Sequence, residues 1–395
     1  MKTLIELYDE KRPMENVIAA EVFRPHTVIY MCADNITINK KRQRRLRDYF
    51  AHRNIDANLI FIKISIFDVE AIVELFRKLT DKYTDCAIDI TGGTDAILFA
   101  AGLFCAEKNI PIFTYSRRKN RFYNIRNAAF AEGVPCEVIY QVEDCFLMAG
   151  GAMRTGRVDN RVLWKYLDDI EPFIQLYMKY RKKWVKIVTY IQRVSQVGPD
   201  TPIPLEVHGE YTVKGDHASR IPAPEEALQD LAAIDFIRDL KIEPEVSVSF
   251  TFRDTFIRTW LRDVGSVLEL YMFKACFDTG IFDDVVTSAI VDWDAGSDGH
   301  NAVSNELDVM CTRGVTTVFI SCKACEVKTE ALNELSILRN RFGGDFSKAA
   351  IVTTTPGGGP MRNRAHELDI VVIDLNDIKE GRVNECLMNM MSIGS

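Results

Sequence analysis

Short apolar runs alternate with longer amphipathic stretches through residues 1–115. The runs at 3–8, 27–32, 59–64, 87–90 and 111–115 predict buried strands, being brief, apolar and bounded by polar residues. Between them, 15–22, 40–52, 69–83 and 94–108 have helical spacing and helix-forming composition. Alternating strands and helices imply right-handed crossovers and a mostly parallel sheet covered on both faces, so the fold class is α/β, with an N-terminal Rossmann-like domain. Residues 121–125 and 138–146 read as additional strands at its edge.

Gly150 and Gly151 break this pattern, and apolar residues from Val162 to Ile191 then recur at helical spacing, as in a connector. Residues 197–224 are rich in Pro, Gly and polar side chains and read as a linker or flexible loop, with a possible strand at 206–213. From 246 a second α/β pattern begins. It runs as a strand to 252, a long helix to about 278, strands at 284–293, 306–312 and 316–322, a helix at 329–342, and strands at 349–353 and 370–375. The expected division is 1–148, a helical connector and linker at 149–245, and a second domain at 246–395.

Composition narrows the class. A chain of 395 residues with 47% hydrophobic and 27% charged residues is globular, neither fibrous nor disordered. No apolar run reaches the roughly 18 residues of a membrane span, and the N-terminal MKTLIELYDEKRP carries charges where a signal peptide is apolar. A cytoplasmic protein with no membrane partner is expected. The ten cysteines are scattered through mostly apolar stretches and read as reduced core residues; Cys322 and Cys325 form a CxxC without a second pair or a nearby His pair to complete a zinc site. A net charge of −7 argues against bulk duplex binding but not against a local phosphate-binding patch.

Two segments carry chemistry. Ile88-Asp89-Ile90-Thr91-Gly92-Gly93-Thr94 joins a strand to a helix, and its glycines, hydroxyls and free helix-start amides suit a phosphate or ribose. The same residues also suit a plain tight turn with Thr94 as helix cap. Neither G-x-G-x-x-G nor the P-loop pattern occurs, which disfavours hydride transfer and ATP hydrolysis. Loops at the carboxyl ends of parallel strands should gather Asp9, Glu10, Asp34, Asn35, Ser65, Ser116 and Arg117 around Thr91, Gly92, Gly93 and Thr94, which favours a nucleotide. The basic run Lys40, Lys41, Arg42, Arg44, Arg45 and Arg47 is either a solvated helix face or a contact to nucleic acid or ligand.

In the second half, Glu306 and Asp308 are two apart on a strand and should share a face, Lys323 ends the next strand, and Glu269 lies on the preceding helix. Three carboxylates and a lysine suit metal-assisted phosphodiester hydrolysis, and oxygen ligands favour Mg²⁺ or Mn²⁺ over zinc. An exposed acidic edge with a surface lysine is the plainer alternative. Phe342-Gly343-Gly344 reads as a glycine helix stop. The glycine-rich stretch 353–360, followed by Arg362, Arg364 and His366, is either a mobile loop or a rim that guides a phosphate backbone.

On these residues the chain resembles two known families. Residues 1–148, with strand, TGGT and helix, resemble the CARF domain, the sensor of cyclic oligoadenylates in type III CRISPR defence. That resemblance implies a homodimer whose two Thr91–Thr94 loops flank the ligand, in particular cyclic tetra-adenylate, on a two-fold axis. Residues 264–374, with N-E-L-D, S-C-K and F-G-G, resemble the PD-(D/E)xK nuclease core, a restriction-endonuclease-like α/β domain. The carry-over makes Asp308 the central metal ligand, Glu306, Glu269 and the Cys322 carbonyl its supporters, and Lys323 the catalytic lysine. One position departs: two residues before the lysine, where Asp or Glu is usual, stands Ser321. The implied activity is cleavage of single-stranded RNA or DNA, dependent on Mn²⁺ or Mg²⁺ and switched on by the cyclic ligand. A non-enzymatic regulator and an ungated duplex DNA endonuclease are the alternatives.

Overall fold

A computed structural model describes residues 1–33, 40–65, 67–154, 160–198, 202–215, 219–293, 304–344 and 346–392. Six strands, β1 (Thr3–Leu7), β2 (Thr27–Ala33), β3 (Asn58–Ile64), β4 (Cys86–Asp89), β5 (Ile112–Ser116) and β6 (Arg121–Arg126), form the first sheet in the order β3-β2-β1-β4-β5-β6. All are parallel except β6, which pairs antiparallel with β5. The crossovers are α1 (Glu15–Phe23), α2 (Lys40–His52), α3 (Val69–Lys82) and α4 (Asp95–Glu107). Pleating sorts β1 between two layers: Ile5 and Leu7 pack with the residues of α3 and α4, while Leu4 and Tyr8 pack with those of α1 and α2. The chain winds outward from β1 through β2 to β3 and then returns to β4, so the crevice beyond the carboxyl ends of β1 and β4 is the topological switch point.

The stretch 138–146 is not the expected strand. Its second half begins α5 (Val142–Ala149), because Val142, Cys145, Phe146 and Ala149 recur at helical rather than alternating spacing and are buried. Asp144 accepts from the Gln141 amide at 2.9 Å and secures the helix start. β7 (Ala152–Arg154) then enters the second sheet.

The connector contains α6 (Asn160–Leu163), α7 (Leu167–Tyr180) and α8 (Trp184–Val194). Much of the stretch expected to be a linker is ordered: β8 (Glu206–Glu210) joins a three-stranded sheet, and β9 (Thr212–Lys214) and β10 (Arg220–Pro222) form a hairpin. After α9 (Glu225–Ala233), β11 (Ile237–Glu243) and β12 (Ser247–Phe252) complete that sheet in the order β11-β12-β8. The expected long helix is two, α10 (Thr255–Leu261) and α11 (Ser266–Asp278), because Asp263 accepts from the Gly265 amide at 3.1 Å and stabilises a turn between them.

The second large sheet comprises β13 (Asp284–Asp292), β14 (Ser304–Arg313), β15 (Thr316–Lys323), β16 (Lys348–Thr353) and β17 (Ile370–Ile373), with β7 at its edge beside β13. The consecutive pairs from β13 to β15 are antiparallel and those from β15 to β17 parallel. Helices α12 (Thr329–Phe342), α13 (Gly359–Glu367), α14 (Leu375–Lys379) and α15 (Val383–Ser392) complete the fold. Val309, Cys311, Val318 and Ile320 pack with α7 and α11 residues. Met310 and Phe319 face the other way, into an apolar core shared with Leu4, Val28 and Tyr30 of the first sheet. One core therefore joins the two halves. All ten cysteines are free and only Cys325 is exposed. No helix among the described residues is long and apolar enough to cross a membrane.

Candidate active site

The C-terminal site opens where β14 and β15 part. Their pairing runs from Arg313 opposite Thr316 to Val309 opposite Ile320 and stops there, so Asp308 meets residues 321–323 through its side chain. The Cys322 amide donates to Asp308 Oδ2 at 2.6 Å, the Ser321 hydroxyl donates to the same oxygen at 3.0 Å, and Lys323 Nζ lies 3.6 Å from it. These contacts fix the orientation of Asp308. The Cys322 thiol points away into the core toward the Leu268 carbonyl, and burial pushes its pKa well up, so only its backbone faces the gap.

Glu269 arrives from α11, and its Oε2 accepts from the Ser288 hydroxyl at 2.9 Å. Burial first, and then the Asp308 charge, push the Glu269 carboxyl up to about 8; the Ser288 hydrogen bond offsets part of this, while Asp263 and Glu306 add to it. Glu306 lies opposite Ile290 and is exposed. Leu307 and Met310, three apart, pack in the same layer, so side-chain alternation changes phase at Asp308 and the shared face expected for Glu306 and Asp308 does not continue as a regular strand.

Among the described residues, no three His, Cys, Asp or Glu side chains gather closely enough to hold a metal ion. The Glu269–Asp308 pair still fits a hard divalent cation, since its donors are all oxygen and its mutual repulsion is what such a charge relieves. Mg²⁺ commonly takes only one or two carboxylates and keeps water or phosphate oxygens for the rest. Arg362, which one of the two readings of this stretch sets at a phosphate-guiding rim, donates to Asp374 Oδ2 at 2.6 Å, which also receives the Gly357 amide at 3.0 Å. Arg364 bonds Glu367 and Asn333.

At the switch point of the first sheet, Gly92 and Gly93 lie against the end of β1. A Cβ at Gly92 would stand 2.5 Å from the Leu7 carbonyl, and Gly93 has φ 96° with Leu7 Cβ 2.9 Å from the equivalent point. Thr91 is internally occupied: its amide donates to Asp89 Oδ1 at 2.8 Å, its hydroxyl bonds the same oxygen at 2.5 Å and accepts from the Tyr115 amide at 2.7 Å. Thr94 sits at the N-cap of α4 without the expected side-chain cap, and its buried hydroxyl has no partner among the described residues. Asp9 shapes the neighbouring loop by accepting from the Lys11 amide and from Arg12 Nε, both at 2.9 Å. Ser116 closes β5, whereas Asp34 and Asn35 lie outside the described residues.

A cleft of about 590 Å³ extends from the β1–α1 loop toward α12, lined by Tyr8, Glu10, Lys11, Arg42, Arg45 and Arg341 among others. The basic run on α2 thus divides. Arg42 pairs with Glu10 and Arg45 reaches the Gly150 carbonyl at 3.2 Å, while Arg44 is solvated. Arg117 turns away from the loops. It is half-buried, stands 3.5 Å from Glu15, bonds the Val315 carbonyl and covers the Phe346 ring at 4.8 Å, joining the first sheet to the β14–β15 hairpin. Gly344, at φ 70°, would place a Cβ 2.9 Å from the Lys11 carbonyl, so the loop after α12 packs directly on the β1–α1 loop. Sequence reasoning missed these joints and Ser288, because no local pattern marks them.

Neither family models nor curated protein sequences give a match to this chain. Among solved structures it is similar to protein VC1899 from Vibrio cholerae, with a TM-score of 0.72 and 16% identity over 98% of this chain and 97% of that one. It is equally similar to Can2 from Sulfobacillus thermosulfidooxidans in complex with cyclic tetra-adenylate, with a TM-score of 0.71 and 17% identity over 98% of both chains. At such identity the likeness is one of fold. It covers both large sheets and the helices between them, so this chain has the two-part α/β fold of those proteins, a Rossmann-like half with a mostly parallel sheet followed by a half built on a mixed sheet.

Proposed function

We propose that this protein is a metal-dependent endonuclease of type III CRISPR defence, switched on by a cyclic oligoadenylate and acting on single-stranded RNA or DNA. The observation that carries the reading is the meeting of Glu269, Asp308 and Lys323 at the parting of β14 and β15, with Lys323 Nζ 3.6 Å from Asp308 Oδ2. Residues 246–395 hold this hydrolytic site, residues 1–148 the sensor, and 149–245 the connection between them.

Asp308 and Glu269 would hold the cation with support from the Cys322 carbonyl, and Glu306 would contribute charge from the exposed start of β14. When bound, Mn²⁺ or Mg²⁺ supplies charge neutralisation and a water of lowered pKa. Lys323 stands beside Asp308, where its ammonium would offset charge developing on the phosphate. The Ser321 and Cys322 donors keep Asp308 from swinging away.

For the sensor, support comes from the shared fold with a protein solved with cyclic tetra-adenylate, and from the polar loops gathered at the switch point. In a homodimer the Thr91–Thr94 loops of both subunits meet one ring, with Asp9, Glu10 and Ser116 nearby, and a two-fold ligand makes the same contacts twice. Ligand binding is transmitted through the Lys11–Gly344 contact and Arg117, which bear directly on the second half. Differential affinity of the ring for the two arrangements then drives the switch.

The test is cleavage of labelled single-stranded RNA and DNA with Mn²⁺ or Mg²⁺, with and without cyclic tri-, tetra- and hexa-adenylate. Cutting that requires one ring size and vanishes in Asp308→Ala supports the reading. Ser321 favours a second reading, a sensor controlling a non-catalytic domain, and ligand binding without cleavage in any lane would establish that instead.

A further inference from the structure

Ser288 lies in the middle of β13 with φ 51°, in the left-handed region that a serine rarely adopts. It is buried, and its neighbours keep the ladder: Thr287 is opposite Val309 and Ala289 opposite Leu307, while Ser288 and Asp308 between them are unpaired. The strand alternation changes phase at this point. Val286 and Ala289, three apart, face the same core layer, as Leu307 and Met310 do on the partner strand. Regular pleating would have kept residue 288 on the face of Val286, whereas the left-handed turn carries its hydroxyl toward α11, where it donates to Glu269 Oε2 at 2.9 Å. Thr287 donates to the Asp308 carbonyl at 2.7 Å, so two adjacent hydroxyls of one strand brace the elements that carry both carboxylates.

Glycine adopts this backbone conformation without strain, and serine does not. A strained serine at a buried position, with its hydroxyl on a carboxylate, is a backbone outlier at a functional site. We infer that Ser288 is a positioning residue, whose hydroxyl, aimed by the left-handed turn in β13, sets Glu269 in the orientation that receives the divalent cation. This rests on the proposed reading of Glu269 and Asp308 as the cation-holding pair.

The deciding comparison uses the full-length chain and Mn²⁺ alone, without nucleic acid, in wild type, Ser288→Gly, Ser288→Ala and Asp308→Ala, by electron paramagnetic resonance titration together with thermal unfolding. Ser288→Gly relieves the backbone while removing the CH2OH group, and Ser288→Ala removes only the hydroxyl. Ser288→Gly should keep a cooperative transition near that of the wild type while binding Mn²⁺ roughly 10- to 100-fold more weakly, the usual consequence of losing a partner that orients a metal ligand. Ser288→Ala should weaken binding equally. In cleavage assays the metal concentration for half-maximal rate should rise by a similar factor, with the rate at saturating Mn²⁺ largely restored. Wild-type affinity in Ser288→Gly would overturn the inference while leaving the cation pair intact, provided Asp308→Ala loses binding. Weakened binding that appears only with loss of cooperative folding would make Ser288 structural and also overturn it. Absence of Mn²⁺ binding in the wild type would overturn both the inference and the reading beneath it.

Discussion

Each half of the molecule brings two carboxylates together, and the two pairs differ in what surrounds them. Glu6 of β1 and Asp89 of β4 are register partners in the first sheet. Both Glu6 oxygens are buried without a hydrogen-bond partner among the described residues, and Asp89 spends one oxygen on Thr91. Glu269 and Asp308 in the second half have hydroxyl and amide donors fixed upon them, and Lys323 stands at the rim with 36% of its side chain exposed. Burial raises the pKa of Glu6, Asp89 and Glu269 alike. A perturbed carboxylate therefore does not by itself mark a hydrolytic site. Asp89 has an amide and a hydroxyl donor as Asp308 does, so access from solvent is what separates the second pair from the first, whose Asp89 instead anchors the Thr91 loop.

The largest expected effect breaks the second pair. Asp308→Ala should lower ligand-stimulated cleavage by about three orders of magnitude or more, measured by single-turnover kinetics, with cyclic tetra-adenylate binding retained. An Asp89→Asn variant that lost as much cleavage without losing ligand binding would erase the contrast.

The next effect acts on the first pair through its counter-charge. Arg117 stands 3.5 Å from Glu15, whose charge in turn raises Glu6 and Asp89. Arg117→Ala leaves Glu15 to Arg12, 3.4 Å away, and also strips the Val315 carbonyl and the Phe346 ring of their partner, and should together cost about 3 kcal/mol in chemical denaturation.

A smaller effect is one of pH. Burial lifts Asp89 from 3.8 to about 7, so the folded state holds its proton more tightly than the unfolded one. Its stabilising contribution is complete below about pH 4 and is lost as pH rises through about 7. Between pH 5 and pH 8 the wild type should therefore lose roughly 2 kcal/mol relative to Asp89→Asn, read from denaturant midpoints at each pH. A difference that stayed constant across that range would show that Asp89 is ionised throughout.

The smallest sits outside both clusters. Arg44, with 82% of its side chain exposed and 3.7 Å from Asp48, should leave the Tm unchanged when replaced by alanine. A clear fall would give the solvated part of the α2 basic run a structural role.

Much of the fold was legible because its signals are local. The helix at 329–342 was read with the bounds of α12, and the strands at 27–32 and 349–353 within one residue of β2 and β16. Errors arose where a short apolar stretch fits either period, as at 138–146, or where turn chemistry interrupts a helix, as at Asp263 and Gly265. The helix α9 and strand β11 carry no such signal, and in the Pro- and Gly-rich segment before them the possible strand at 206–213 is borne out by β8, whereas the β9–β10 hairpin is not anticipated. Glu269, Asp308 and Lys323 could be singled out because their residue types and their order among helix and strands are written along the chain. Ser288 could not: Val285-Val286-Thr287-Ser288-Ala289-Ile290 reads as an ordinary strand.

The sequence by itself determined the α/β class, the order of most elements and the residue types able to do phosphate and metal chemistry, since periodicity and composition act over a few residues. Tertiary structure alone decided that Arg117 faces the second half rather than the Thr91 loop, that Gly344 rests on Lys11, and that Ser288 turns left-handed to meet Glu269. Those choices depend on which distant surfaces come into contact. A side chain's direction or the sign of a φ angle is settled by the packing free energy of the whole core, which no short stretch of sequence contains.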